Sequence, residues 1–308
     1  MIDDRIRFPK CKNVKSWPST FSVVARDAGN GDLGVIVQSK FPAVGSMVPW
    51  AKARVGAVAT QAWINTAYGP RGLELMSEGK SASETLKILL QEDSQDMVQH
   101  RQVGIIDANG NAVAYTGEMC MDWAGHIIGD GYLCQGNILA GESVIQSMAE
   151  AYEGTDGDLI DRLFAALKAG QAEGGDKRGM QSAAIYIVRH DGGYGGGNDR
   201  YVDVRVDDHP SPIEELERIF DIYDITLLSR EDPSRLVSIE GQVAVRIQEA
   251  LRALGYLDSV SEDSFTQKAA DALQEFILMN NFENKAREDG TIWQSILDYL
   301  LREAGTEE

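Results

Sequence analysis

Thr20 is placed where a threonine can do more than extend a strand. It opens the strand-like run TFSVVAR (Thr20–Arg26). A threonine at that position becomes a nucleophile, with its own amine as base, once the amine is freed. Strand alternation puts Thr20, Ser22 and Arg26 on one polar, surface-facing side and Phe21, Val23 and Ala25 on the other. The loop Ala28-Gly29-Asn30-Gly31-Asp32 is rich in residues that tolerate the positive φ of hairpin turns, and it leads into a second run, LGVIVQSK. With Asp27 opposite Leu33, Ser22 faces Gln38 and Thr20 faces Lys40, so a hydroxyl and an ammonium lie side by side. A slip of one residue removes that pairing.

Other residues could carry chemistry, and each has a plainer reading. His126, between glycine and isoleucine, is either a histidine bonded to backbone or a catalytic one. Asp203, Arg205 and Asp207 alternate with Val202, Val204 and Val206. They form an ion-pair ladder on one strand face or, with Asp208 and His209, a polar pocket wall. Arg205 on the same face would repel a cation, so no metal is expected there. Arg178, in the stretch GGDKRG, either holds a substrate carboxylate or belongs to a plain glycine-rich turn. The glycines at 192–197 lack the strand-to-helix context of a phosphate loop.

The elements that must position these residues are legible along the chain. Residues 1–19 form an unpatterned arm. After the first hairpin, Arg54–Gln61 reads as a strand and Pro70–Ser77 as a helix. Ser81 and Glu84 make a capping box before Leu86, Leu89 and Leu90. A second hairpin turns at Asp107-Ala108-Asn109-Gly110. Residues 120–139 resist a single assignment. Helices are expected at Glu142–Tyr152 and Asp158–Ala169, strands at Ser182–Arg189 and Tyr201–Val206, and a helix opening at Ser211 and Pro212. Strands, helix pairs, strands and helix in that order indicate a segregated α+β domain over 20–228. A linker over 229–237 then leads to a helical domain over 238–308, in which the apolar stripe Val243, Ile247, Ala250, Leu251, Leu254 ends at Gly255.

Composition narrows the function classes. The 308 residues include 29 basic and 48 acidic ones, for a net charge of −19. That balance argues against nucleic acid or an anionic membrane as the main partner and otherwise signifies solubility. No stretch approaches the ~20 apolar residues of a membrane span. The first 19 residues lack the apolar core of a signal peptide. Three cysteines, Cys11, Cys120 and Cys134, fit a reducing compartment; a Cys120–Cys134 bridge and two separate thiols are both open. The expected location is the cytoplasm. Trp17, Trp50, Trp63 and Trp123 lie near loops or segment ends, the pattern of an interface, so a homodimer or larger assembly is expected.

Five motifs in order, TFSVVARD, GVIVQSKFPAVGS, WAGHIIGDGYLCQGNIL, GGDKRGMQSAA and VDVRVDDHPSPIEEL, resemble the bacterial DUF1028 family, assigned to the N-terminal-nucleophile (Ntn) hydrolase superfamily. The resemblance spans Thr20 to about Leu228. It implies a four-layer αββα sandwich of two antiparallel sheets. The tail resembles a peptidoglycan-binding-like domain of three helices. By this resemblance Thr20 attacks a small amide and its α-amine takes the proton; that amine's ordinary pKa of about 7.7–8.0 suits neutral pH. Lys40 is the candidate cation that lowers it further, and Asn137 the candidate oxyanion donor. Ser22, Gln38, His126, Arg178 and Asp207 are the candidate substrate contacts. No cofactor is expected. Thr20 is internal in this sequence, so self-cleavage after Ser19, a start nearer Thr20, and absence of catalysis are the three outcomes. The alternative function is a non-catalytic binding protein whose tail contacts cell-wall glycan or protein.

Overall fold

The computed structural model describes residues 20–261 and 264–306. The arm, with Cys11 and Trp17, lies outside them. The chain divides after Glu217 into two compact units.

In the first unit β1 (Thr20–Arg26), β2 (Leu33–Ser39), β3 (Pro49–Lys52) and β4 (Gly56–Ala62) are followed by helices α1 (Tyr68–Ser77), α2 (Ala82–Glu92) and the short α3 (Gln95–Val98). The Ser81–Glu84 capping box starts α2 as its sequence signals, each partner satisfying the other's backbone N–H. Strands β5 (Arg101–Asp107) and β6 (Ala112–Thr116) form the second hairpin. The unassigned glycine-punctuated stretch resolves into β7 (Gly125–Gly129) and β8 (Tyr132–Asn137). Then come α4 (Ser143–Gly154), α5 (Leu159–Ala172), β9 (Ser182–Val188), β10 (Arg200–Val206) and α6 (Pro212–Leu227), which runs across the division.

The strands build two antiparallel sheets, β10-β9-β2-β1-β8-β7 and β3-β4-β5-β6. Helices α1 and α2 pack on the four-stranded sheet, α4 and α5 on the six-stranded one, and the sheets face each other. Val24, Val35 and Val37 from one sheet meet Ala57, Ala59 and Ile106 from the other in the shared core. Gly104 permits the close approach: a Cβ there would sit 2.4 Å from Leu133 Cδ1. Strand β1 is therefore covered on both faces, with Phe21 turned toward Gly170 of α5.

The second unit contains α7 (Gly241–Ala253), α8 (Gln267–Met279) and α9 (Gln294–Glu303) around Ile247, Leu251, Phe276, Ile296 and Leu300. Gly255, at φ 84°, ends α7 as a left-handed C′ residue does. The unit also holds a two-stranded ribbon absent from the sequence reading, β11 (Leu236–Ser238) against β12 (Thr291–Trp293). Three-residue strands paired across more than fifty residues leave no local periodicity to read. No helix of the described residues is long and apolar enough to cross a membrane.

Candidate functional site

Thr20 begins β1 between two neighbours, pairing with Ser39 of β2 and Asn137 of β8, and it is fully buried. The β1–β2 register is one residue from the expected one. Thr20 faces Ser39 rather than Lys40, and Ser22 faces Val37 rather than Gln38. The loop explains the slip. Asp27 N–H donates to the Asp32 carbonyl, the Asp27 carboxylate accepts from the N–H groups of Gly29 and Asn30, and Asp32 is held by Arg189 at 2.6 and 2.8 Å. Asp32 thus extends the ladder, and only Ala28–Gly31 form the turn. Lys40 falls past the paired residues and is exposed, its Nζ donating to the Met180 carbonyl at 3.1 Å.

The polar face of β1 is not surface-facing, because the second sheet covers it. The Thr20 hydroxyl lies 3.1 Å from the Ser39 hydroxyl. Ser22 Oγ donates to Gln61 Oε1 of β4 at 2.7 Å. Gln61 Nε2 donates to the Thr20 carbonyl at 3.2 Å and to Gln102 Oε1 of β5 at 2.8 Å. Asn137 Nδ2 donates to the same Gln102 oxygen at 3.0 Å and, at 3.5 Å, to the Thr20 carbonyl. Gln102 Nε2 in turn donates to the Gly136 and Gly125 carbonyls and to Thr116 Oγ1. Each amide's orientation is fixed by its neighbour, which makes this a rigid polar cradle in an apolar interior. Gln135 ties it to β4 through the Ala59 carbonyl at 3.0 Å.

Of the residues singled out in the sequence, the structure thus brings together Thr20, Ser22 and Asn137. His126 stands at the outer end of the same chain of bonds, exposed, its Nδ1 2.9 Å from Thr116 Oγ1. Gln38 pairs with Phe21 and shares that residue's face, away from Thr20; both its amide atoms are buried and have no hydrogen-bond partner among the described residues. Asp207 is exposed beyond β10, its carbonyl accepting from Ala43 N–H, and Arg205 pairs with Asp203 at 2.7 Å. Cys120 and Cys134 are separate free thiols.

The cradle's central members, Gln61, Gln102 and Gln135, escaped the sequence reading. Their signal was available: each is a single glutamine in a largely apolar strand run, ATQAW, RQVGII and YLCQGN. A polar side chain in a strand covered on both faces needs partners, and three such strands suggest that they supply one another.

The segment Asp176–Gln181 arches past the end of β1. Lys177 N–H donates to the Ile138 carbonyl and Gln181 N–H to that of Ser39, so it spans from β8 to β2, the strands either side of Thr20. Buried Asp176 anchors it, accepting from the Lys40 and Arg178 N–H groups at 2.9 Å and pairing with the Arg178 guanidinium at 3.0 Å.

Beside Asn137 lies a small cleft walled by Ala62, Trp63, His100, Met119, Cys120, Met121 and Ile138. Ala62 (φ 61°) and Ile138 (φ 52°) both hold left-handed backbone, a costly conformation for non-glycine residues that concentrates at functional sites. The rim is fixed from behind: Arg101 donates to the Trp63 carbonyl at 2.6 Å and pairs with Asp93 at 2.7 Å, both side chains nearly enclosed. Burial would raise the Asp93 pKa, but the bonds from Arg101, Tyr68 and Ser94 outweigh it and hold the carboxyl at about 2. Burial pushes the Cys120 thiol up to about 11, so at neutral pH it is a thiol and a poor nucleophile.

Residues 20–216 match the family model described as "Family of unknown function (DUF1028)", and residues 226–300 match "Putative peptidoglycan binding domain". No curated protein matches the chain. Among solved structures it is similar to protein SPO2555 from Silicibacter pomeroyi, a DUF1028 protein. The identity is 27%, with 68% of this chain and 96% of that chain covered, at a TM-score of 0.61. Anbu (ancestral beta-subunit) from Yersinia bercovieri is similar at 12% identity over 65% of this chain and 92% of that chain, with a TM-score of 0.32, too slight a likeness to bear on the fold.

Proposed function

For a chain that belongs to the DUF1028 family, we propose an Ntn-type amidohydrolase in which Thr20 cleaves a small amide once its α-amine is exposed. The observation that carries this reading is the cradle: Thr20 opens a central strand with its hydroxyl beside Ser39 and its carbonyl held by Gln61 and Asn137. The order helix pair, sheet, sheet, helix pair supports a four-layer αββα Ntn-hydrolase-like sandwich. In the reaction the free α-amine takes the proton from Thr20 Oγ1 as that oxygen bonds to the amide carbon. Asn137 Nδ2 stabilises the oxyanion, and Lys40 holds the amine's pKa down. The C–N bond then breaks, the leaving amine receives the proton, and water hydrolyses the ester left on Thr20. Ser22 fixes Gln61 within the cradle. His126, Arg178 and Asp207 complete the proposed substrate contacts, whereas Gln38, buried on the face of β2 away from Thr20, is no longer among them.

In this reading the catalytic domain covers 20–228, and a linker over 229–237 joins it to a helical domain over 238–308 that contacts cell-wall glycan or protein. The match to a peptidoglycan-binding model supports the glycan. If the protein acts in the cytoplasm, away from cell-wall glycan, this domain contacts protein instead; assembly as a homodimer or larger is tested by light scattering against the 33.7 kDa of one chain. A second reading, a non-catalytic binding protein, is favoured by one fact: Thr20 is preceded by Ser19, so its nitrogen is an amide here. An amide-library screen on protein that begins at Thr20 decides. Cleavage that disappears in Thr20→Ala and persists in part in Thr20→Ser is expected. No cleavage of any amide, or undiminished cleavage by Thr20→Ala, returns the binding reading.

A further inference from the structure

Three glutamines of the cradle are each pinned by a backbone carbonyl, a group that can only accept. Gln135 Nε2 donates to the Ala59 carbonyl at 3.0 Å, Gln61 Nε2 to that of Thr20 at 3.2 Å, and Gln102 Nε2 to those of Gly136 and Gly125 at 2.8 and 3.1 Å. These contacts fix which end of each amide carries nitrogen. The hydroxyls between them must follow. Ser22 Oγ accepts from Gln135 Nε2 at 3.4 Å and donates to Gln61 Oε1 at 2.7 Å. Thr116 Oγ1 accepts from Gln102 Nε2 at 3.0 Å, so its own hydrogen is left for His126 Nδ1 at 2.9 Å. Gln61 Nε2 donates to Gln102 Oε1 at 2.8 Å and joins the two halves. Hydrogen bonds therefore run one way, from Gln135 through Ser22, Gln61, Gln102 and Thr116 to the imidazole of β7. Members of such a series strengthen one another. Desolvation keeps the His126 pKa below the ordinary histidine value, which favours the neutral ring that can accept.

We infer that Gln102 is a positioning residue for Asn137, and that Thr116 and His126 hold it in that role. Gln102 Oε1 accepts from Asn137 Nδ2 at 3.0 Å, which puts the nitrogen end of the Asn137 amide, not its oxygen, at the Thr20 carbonyl. Turned over, Gln102 would present its own NH2 group. Asn137 would turn its oxygen to meet it, and the proposed oxyanion donor would become an acceptor. The direction of the series stands on the hydrogen bonds alone; its catalytic consequence rests on the amidohydrolase reading. His126 acts here through Thr116 and Gln102, a role distinct from the substrate contact proposed above.

NMR of the nitrogen-labelled full-length protein at neutral pH is the test. His126 is expected to carry hydrogen on Nε2 alone. Thr116→Val nearly keeps the shape and removes the hydroxyl. It should leave the ring in a mixture of tautomers and shift the side-chain amide signals of Gln102 and, beyond it, of Asn137; Thr116→Ser should restore them. His126→Phe, at an exposed position, removes the last acceptor and should also shift the Gln102 signal, so the test survives if Thr116→Val does not fold. In protein that begins at Thr20, Thr116→Val should lower kcat about tenfold with KM little changed, less than the ~100-fold lost with an oxyanion donor itself. Hydrogen on His126 Nδ1, or Gln102 and Asn137 signals that stay in place in both variants, overturns the proposal. Shifted signals without Thr20-dependent cleavage would leave the series standing and remove the reaction. Thr20-dependent cleavage with kcat unchanged in Thr116→Val would keep the reaction and remove the positioning role.

Discussion

The two units bury different things. Between the sheets of the first, Ser22, Gln61, Gln102, Gln135 and Asn137 lie in a core of valine, alanine and isoleucine, each amide turned by the next. The second unit has a core of Ile247, Leu251, Phe276, Ile296 and Leu300, with charge entering at Lys285, which meets Glu231 and the Leu228 carbonyl. An apolar core needs only area and shape complementarity. A hydrogen-bonded amide core also fixes where individual atoms point, and it is costly if any member is lost. The contrast separates the units: atom orientation is specified around Thr20, while the helical unit specifies packing.

If that contrast holds, the largest loss of stability comes from plain cavity formation. Phe276→Ala should destabilise the second unit by about 4 kcal/mol, read as lost hydrogen-exchange protection across residues 241–303. Gln102→Leu, which keeps the volume roughly constant, should still cost about 3 kcal/mol in the first unit, because Gln61, Asn137 and two carbonyls lose their partner. A neutral or stabilising Gln102→Leu would show that the cradle is ordinary filling and erase the distinction.

Acid probes the rim of the cleft. The folded pKa of Asp93 lies below its unfolded value, so its contribution is present above pH ~4 and is lost as pH falls through about 2. The shift corresponds to about 2 kcal/mol. Denaturant midpoints measured between pH 5 and 2 should fall by that amount more in the parent than in Asp93→Asn, which is itself destabilised at neutral pH because Arg101 stays buried. The smallest effect belongs to a surface feature: Ser81→Ala should cost about 1 kcal/mol by removing half of the α2 capping box, and it should leave ligand binding untouched.

The ease of reading the sequence follows the same division between local and cross-chain causes. The α2 cap, the Asp107–Gly110 hairpin, the start of α6 at Pro212 and the Gly255 stop are set by neighbours in sequence, and each stands where its residues predict. The β1–β2 register slipped by one because Asp32 is recruited by Arg189, 157 positions away. The β7–β8 hairpin was hidden by glycines and by the half-exposed edge strand β7. The cradle was invisible as a unit because its glutamines come from separate strands and meet only when the sheets stack. Thr20 and Asn137 could be named from the resemblance; Gln61 and Gln102 required the fold.

Whether Thr20 is a nucleophile can be read covalently. Protein beginning at Thr20 is treated with a β-lactone, an activated acyl donor, and the adduct is located by peptide mass spectrometry. One acyl group is expected, on the Oγ1 of Thr20, and none in Thr20→Ala. An adduct on another residue, or no adduct in protein that still cleaves amides, would contradict it.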